Sequence, residues 1–527
     1  MATNVRQLQQ SSFYFYLGIV FIIQCLVMLG LDGTCDSGDS IQHYLIAHYA
    51  FDHQELFFDH WGKPFFTLLA SLPASVGFWG IKAFNIALTL WTAASIFHIS
   101  QRLFSRWIWV ASVVVFFMPE VFRLQYSGLT EPLFAAWLAA SVLWAVKGKH
   151  KVAMVFASFL PFIRTEGFLL LPIFALFYLE TWWTARKYSQ GEGEKKESSL
   201  LNLIWVCALL TVGTVAYSLI GGIAKGGDIT WVFTENPYEH LDNYGQGTWD
   251  HYPKKFIFIT GVPTYGLWIM GLLVGLVGLT RPLWSGGKIG AAVKRLYPKL
   301  ERMESESDRV KRMVADHSIA WRLIYLLFFT YFGAHVVFWA TGTAHSMGLM
   351  RVLVAVAPMA ALIAVRGITV ILGMFNRPKV QNVLIGLIVA YVVVFPFLPN
   401  PASLKLHEFM LSPDQKILQE NAHMNKYWRH GERIRYAHPY VPIAMDFDPF
   451  KYPRYMHNIG QQDLADGTLI IWDNWFSVIE AGVPETFFDE HPDKYTEIND
   501  ELDFGPDGNE IKIKYFVVNN PSKPYFD

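Results

Sequence analysis

The chain has 527 residues, 53% hydrophobic and 16% aromatic, with 17% charged and a net charge of −1. A soluble chain of this length usually carries about a quarter charged residues, and several apolar runs here reach the ~20 residues that cross a bilayer as a helix. This excludes a soluble globular protein and indicates a polytopic membrane protein, with no nucleic-acid partner expected; the net charge itself says nothing about partners. Three cysteines are too few for a disulfide framework, and Cys25 and Cys207 fall inside apolar runs, leaving Cys35 in a polar loop. The one near-sequon, Asn520-Pro521-Ser522, is excluded by its proline, which leans away from a eukaryotic secretory origin.

In chain order, the spans predicted by hydropathy are 13–31, 80–101, 107–119, 127–146, 152–163, 167–184, 201–221, 256–279, 320–342, 352–374 and 381–398, about eleven in all. The first lacks an Ala-x-Ala-like cleavage site and is long enough to be retained. The stretch 64–78 is apolar but broken by Pro64 and Pro73, so it is expected to dip without crossing. Lys and Arg concentrate in alternate loops, at 102–106, 147–151, 186–196, 281–312 and 377–379, as cytoplasmic loops do. That bias puts the amino terminus inside, and the first long loop and the carboxy terminus outside. The basic stretch within 284–317 reads as an exposed or interfacial helix, its charges as topology determinants and a solvated face.

The first outer loop, 32–64, concentrates carboxylates and imidazoles just beyond the membrane. Gly38-Asp39-Ser40 precedes IQHYLIAHYAF, where Ile41, Tyr44, Leu45, His48 and Tyr49 share one face at helical spacing. Asp39 then stands at the amino-terminal cap, a stabilising role worth about 1 kcal/mol. The same placement suits an ionised, oriented carboxylate able to act as a general base. His43 lies one turn on, where a packing role competes with a site role. FFDHWGKPFF (57–66) combines interfacial aromatics with Asp59, His60 and Lys63-Pro64. Its lysine either snorkels to the headgroup layer or binds a lipid phosphate. Further along, LTEPLF places Glu131 at the start of a span, and IRTEG places Arg164 and Glu166 between two short ones. GAHVVFWATGTAHSMGLMR carries His335, His345 and Arg351. A glutamate in a helix's first turn is common, which is the plain reading of Glu131, whereas charges at membrane depth are expensive unless paired, so Arg164 and Glu166 form a salt bridge or part of a site. After 398 the chain turns polar and proline-punctuated. TLIIWD (468–473) and IKIKYFVVNN (511–520) predict buried strands, with a helix at 474–482. This suggests two domains, 1–398 in the membrane and a small α/β domain at 399–527 outside it.

The order of GDSIQHYL, LFFDHWGKPFF, LTEPLF, IRTEG and the His-rich segment ending in Met350-Arg351 resembles the GT-C superfamily of integral-membrane glycosyltransferases. The likeness is to the branch holding protein O-mannosyltransferases and lipid A aminoarabinose transferases. It covers roughly 13–400 in order and topology, and is sharp only in the first loop. The resemblance implies a GT-C-like α-helical membrane fold of about eleven transmembrane helices with a C-terminal extracytoplasmic α/β domain. It implies inverting transfer of a hexosyl or pentosyl group from a polyprenyl-phosphate sugar, its co-substrate and partner, to a hydroxyl of a protein, lipid or glycan. The place implied is a bacterial inner membrane. By position, Asp39 would be the base, with Asp36 close enough to exchange roles with it, and Glu131 a second acid in the cleft. Lys63 would bind the lipid phosphate, with Arg164 and Arg351 compensating charge. The family's loop often has an Asp-Glu pair at its start and an acidic residue before Lys-Pro; here Ser40 follows Asp39 and Gly62 precedes Lys63. A divalent metal is therefore left open, with Asp59 and His60 as substitutes and His43, His335 and His345 as further substrate or metal candidates. Two other readings share parts of the pattern: a membrane transporter, which would need an internal repeat that the chain lacks, and a lipid-linked polysaccharide ligase or polymerase, whose main outer loop would come late in the chain.

Overall fold

The computed structural model describes residues 2–187, 199–235, 245–279, 308–343, 346–428, 433–451, 456–505 and 508–520. Among the described residues, seven helices are long and apolar enough to cross a membrane: Gln10–Met28, Phe78–Leu103, Thr165–Lys187, Leu200–Ala224, Ala315–Thr341, Met350–Gly373 and Pro378–Phe397. The chain is an integral membrane protein. Three other predicted spans are shorter apolar helices, Glu131–Val146, His150–Phe162 and Val262–Leu276. The predicted span at 107–119 is broken instead at Pro119, which starts a second short helix, Pro119–Leu124, after Val110–Phe116. Pro64–Ala74 is an eleven-residue helix, too short to cross.

Phe78–Leu103 and Met350–Gly373 are the most buried of the seven, whereas Gln10–Met28 shows most of its surface outward. Glu131–Val146 lies at the centre. Its Ala135, Ala136, Ala139, Ala140 and Ser141 are buried, and such small residues let helices pack closely where lipid supplies no hydrophobic drive. The Met350–Gly373 span is not uniform: Met350–Val356 winds as a tight 3-10 stretch before Pro358 opens the regular helix Ala357–Gly373. This places Arg351 at the span's first turn, on the side that carries the first loop.

The C-terminal residues form a four-stranded sheet: β1 (Ile434–Tyr436), β2 (Leu469–Asp473), β3 (Tyr495–Phe504) and β4 (Glu510–Val518), in the order β1-β2-β4-β3. β1 and β2 run parallel, while β2–β4 and β4–β3 are antiparallel. All five β2 residues are buried, as a strand covered on both faces requires. Ile470, Trp472 and Phe516 face a core of their own. Leu469, Ile471, Ile513 and Tyr515 instead join the core continuous with the helices.

The first loop is fastened to this C-terminal part. Gly33 N–H donates to the Phe409 carbonyl (2.9 Å), and Asp32 Oδ1 accepts from Leu411 N–H (3.0 Å). Gln415 Nε2 donates to Thr34 Oγ1 (2.8 Å), and His53 Nε2 meets Asp448 Oδ2 at 2.7 Å.

Candidate active site

The helix Asp39–Tyr49 starts as the sequence predicts, but Asp39 is not its cap. Gly38 occupies that position, and the carboxylate holding the first turn belongs to Asp36. Asp36 Oδ1 accepts from the amides of Gly38 (2.9 Å) and Ser40 (3.2 Å), satisfying donors that a helix start leaves open. The two-residue offset follows from the bend at Asp36–Gly38, which turns the earlier carboxylate back over the amides. Ser40 locks the turn from behind. Its Oγ donates to the Thr34 carbonyl (2.7 Å) and accepts from Gly128 N–H (2.8 Å). A Cβ at Gly128 would stand 2.3 Å from the Ser40 carbonyl oxygen, so only glycine lets the two segments meet here.

Freed from capping, Asp39 is the more open of the pair: its side chain is 43% exposed, against 20% for Asp36. Arg351 joins them. Its Nη1 bonds Asp36 Oδ2 at 2.5 Å, its Nη2 bonds Asp39 Oδ2, and its Nε lies 3.6 Å from Glu131 Oε1. Each guanidinium nitrogen therefore faces a different carboxylate. Glu131 is almost wholly buried, at 2% exposure, and its Oε1 also takes Arg164 Nη1 at 2.8 Å. Arg164 Nη2 reaches Glu166 Oε1 at 3.0 Å, and His335 Nε2 stands 3.5 Å from that oxygen. The result is one chain of alternating charge, Asp39–Arg351–Glu131–Arg164–Glu166, with Asp36 branching from Arg351. A buried network of this kind is costly unless fully paired. Here it is not. Glu131 Oε2, Arg164 Nε, His43 Nδ1 and His335 Nδ1 are all buried without a hydrogen-bond partner. Four such atoms in one cluster mark a place shaped to receive another polar group.

Lys63 closes the far end of the loop. It is buried, and its backbone sits at φ 63°, a left-handed conformation that costs a non-glycine residue about 1–3 kcal/mol. Its Nζ donates to the His60 carbonyl (3.4 Å), and its positive charge helps hold the His43 imidazole below its ordinary value. Gly62 before it suits the packing: a Cβ there would lie 2.8 Å from Ile46 Cγ2, so an acidic side chain would have to displace the Ile46 side chain. Asp59 and His60 are occupied elsewhere. Asp59 Oδ1 accepts from Gly62 N–H (2.7 Å), and His60 Nδ1 meets the Glu235 carbonyl (3.0 Å).

His43 stacks on Trp61 with ring centroids 4.6 Å apart and takes Phe66 edge-on. Burial first, then the charges of Lys63, Arg164 and Arg351, hold its imidazole well below the ordinary 6.5, against a smaller opposing effect of Asp36. The unfolded chain takes up this proton near 6.5 and the folded chain does not, so His43 costs stability as pH falls below about 6.5. The decline in Tm of the detergent-solubilised protein between about pH 7 and 5 is therefore expected to be shallower in His43→Gln. An unchanged slope would mean the imidazole is protonated in the native state.

The structure thus brings Asp36, Asp39, Glu131, Arg164, His335 and Arg351 into one network, sets His43 against Trp61 and Lys63 against the His60 carbonyl, and leaves Asp59 and His60 as loop braces. His345 lies outside the described residues. Among the described residues, no group of three or more His, Cys, Asp or Glu side chains is arranged to hold a metal ion. Four residues escape the sequence reading. Ser40 and Gly128 lie far apart in the chain, and only their direct hydrogen bond shows their connection. The His438–Asp414 pair (Nε2 to Oδ2, 2.7 Å) comes from C-terminal turns with no pattern to mark them.

No family profile and no curated protein matches the chain. Two solved structures resemble it along nearly its whole length. The structure of ArnT from Cupriavidus metallidurans bound to undecaprenyl phosphate is 10% identical, with a TM-score of 0.49, covering 98% of this chain and 100% of that one. The same protein in the apo state is 11% identical, with a TM-score of 0.46 and the same coverage.

Proposed function

We propose that this protein is an inverting glycosyltransferase that moves a sugar from a polyprenyl-phosphate donor to an acceptor hydroxyl. The reading places the active site on the extracytoplasmic face of a bacterial inner membrane. The observation that carries it is the ion-pair network in which an accessible carboxylate, Asp39, stands with the buried guanidiniums of Arg351 and Arg164, while the same outer loop ends on a buried lysine, Lys63. A phosphate at the membrane surface needs such cations, and a hydroxyl nucleophile needs such a base.

The chemistry follows directly. Arg351 holds Asp39 by Oδ2, leaving Oδ1 to accept the proton of the acceptor hydroxyl. The oxygen attacks the anomeric carbon opposite the phosphate, a C–O bond forms, and the bond to the phosphate oxygen breaks with its electron pair. Configuration inverts in that one displacement. The charge gathering on the phosphate is stabilised by Lys63 and by Arg164, whose Nε is unpartnered, in surroundings much drier than water. Arg351, with each nitrogen facing a carboxylate, acts as the positioning residue for Asp36 and Asp39. Glu131 is the anchor that keeps both arginines in place.

The test is transfer of radiolabel from a panel of undecaprenyl-phosphate sugars by the purified protein. Wild type is expected to turn over at least one of them, and Lys63→Ala to lose about 10²-fold or more, the scale set by removing one preorganised charge-stabilising group. Lys63→Ala at full rate, or solute uptake into sealed vesicles with no sugar transfer, would refute the proposal.

A further inference from the structure

A second feature opens on the same carboxylates next to the C-terminal sheet. A cavity of about 510 Å³ lies between the first loop and the C-terminal sheet, with Asp36, Asp39 and Arg351 on one wall and Asp473, Trp475 and Lys512 on the other. Pockets of this size are where small polar ligands bind. Two properties of its walls restrict the ligand.

The first is the indole of Trp475, 45% exposed at the cavity wall. It is held there by construction. The buried Asp473 carboxylate folds the next turn around itself, its Oδ1 accepting from Trp475 N–H (3.0 Å) and Phe476 N–H (2.5 Å) and its Oδ2 from Ser477 N–H (3.2 Å) and Ser477 Oγ (2.9 Å). The indole packs edge-on against Phe476 (4.5 Å), and Phe476 packs edge-on against His438 (4.7 Å), which Asp414 fixes in turn. A rigid, half-open aromatic face in a polar cavity suits a ligand with an apolar ring face and a polar rim.

The second is charge. Asp36, Asp39, Asp414, Asp473, Glu480 and Glu510 line the cavity, against Arg351 and Lys512. Lys512 is already paired with Glu485 at 2.5 Å. Carboxylates accept hydrogen bonds from hydroxyls and repel anions. The donor phosphate is thereby kept to the Lys63–Arg164 side, and the cavity is left to the other substrate.

Taking the glycosyl-transfer reading as given, we propose that this cavity is the acceptor subsite and that the acceptor is an uncharged saccharide, one ring stacked on Trp475 and one hydroxyl directed at Asp39. A sugar ring presents C–H bonds on its face and hydroxyls on its rim, which matches both walls. An acceptor carrying phosphate or carboxylate at this ring is excluded.

The test uses the full chain in detergent and saturation-transfer NMR. The probes are maltotetraose, cellotetraose and mannotetraose as uncharged saccharides and tetragalacturonate as the anionic control. At least one uncharged probe is expected to bind, tetragalacturonate is not, and Trp475→Ala is expected to weaken binding tenfold or more while Trp475→Tyr retains it. The inference is overturned if no uncharged probe binds, if tetragalacturonate binds as well, or if Trp475→Ala changes nothing. Binding of undecaprenyl phosphate to the same preparations, wild type and Lys63→Ala, separates the two claims. If that lipid binds in a Lys63-dependent way while the saccharides fail, the acceptor subsite falls and glycosyl transfer stands; if the lipid fails too, the underlying reading falls.

Discussion

Asp39→Asn is expected to lower the rate of sugar transfer by about 10²–10⁴-fold while leaving the protein folded. The amide keeps the shape of the carboxylate but cannot accept the proton that the attacking hydroxyl must lose. It holds no other part of the helix start in place, because Asp36 performs that task. Asp36→Asn is expected to do the reverse. Its amide oxygen still accepts from Gly38 and Ser40, so the turn survives, but the amide nitrogen then faces Arg351 Nη1, donor against donor, and that bond is lost. Tm should fall and transfer should largely persist. The pair is measured by initial rates with the preferred lipid donor beside thermal unfolding of the same preparations. Should Asp36→Asn lose turnover while Asp39→Asn keeps it, the base is Asp36 and the reaction class survives.

Arg351→Ala is expected to be the most destabilising single change in the site. It removes the cation shared by Asp36, Asp39 and Glu131, leaving three carboxylates facing a space with no counter-charge from that side chain. Truncating one partner of a buried pair typically costs about 3–5 kcal/mol, because the charge left behind is uncompensated. Arg164 still holds Glu131, which limits the loss to the first loop and its docking. Arg351→Lys should recover only part of it, since a single ammonium cannot meet three carboxylates in the directions a planar guanidinium does. Transfer by both variants should fall together with loop order, read as protease sensitivity between residues 32 and 63. An Arg351→Ala protein with wild-type Tm would show that the carboxylates are not jointly ionised.

Much of this arrangement is legible from residue order. The long apolar runs, the helix after Gly38 and the Lys63-Pro64 step all carry local signals: hydropathy, helical spacing and proline at a helix start. β2 is legible as a near-continuous apolar run, and β4 as an alternating stretch that closes on the apolar Tyr515–Val518. β3 is not, because YTEINDELDF lies at the sheet edge, mostly exposed, and its acidic side chains follow no inward-facing alternation. Nor does local sequence show which aspartate caps the helix. Asp36 and Asp39 are both suitable types, and a three-residue bend decides between them. The Arg351 clamp is invisible on its own, since it joins positions more than 300 residues apart. Only the cost of leaving a charge unpaired at membrane depth hints that such a partner exists.

The stitches between the first loop and the C-terminal part have a consequence for biogenesis. Asp32 is bound by Leu411 across 379 positions of chain, and His53 by Asp448 across 395. Every span precedes those partners in the chain, so a nascent chain carrying all its spans still lacks the groups that hold Asp32 and His53. Transferase competence should therefore appear abruptly, after synthesis passes this late region, and a product truncated before 409 should be membrane-resident, stable to extraction and inert.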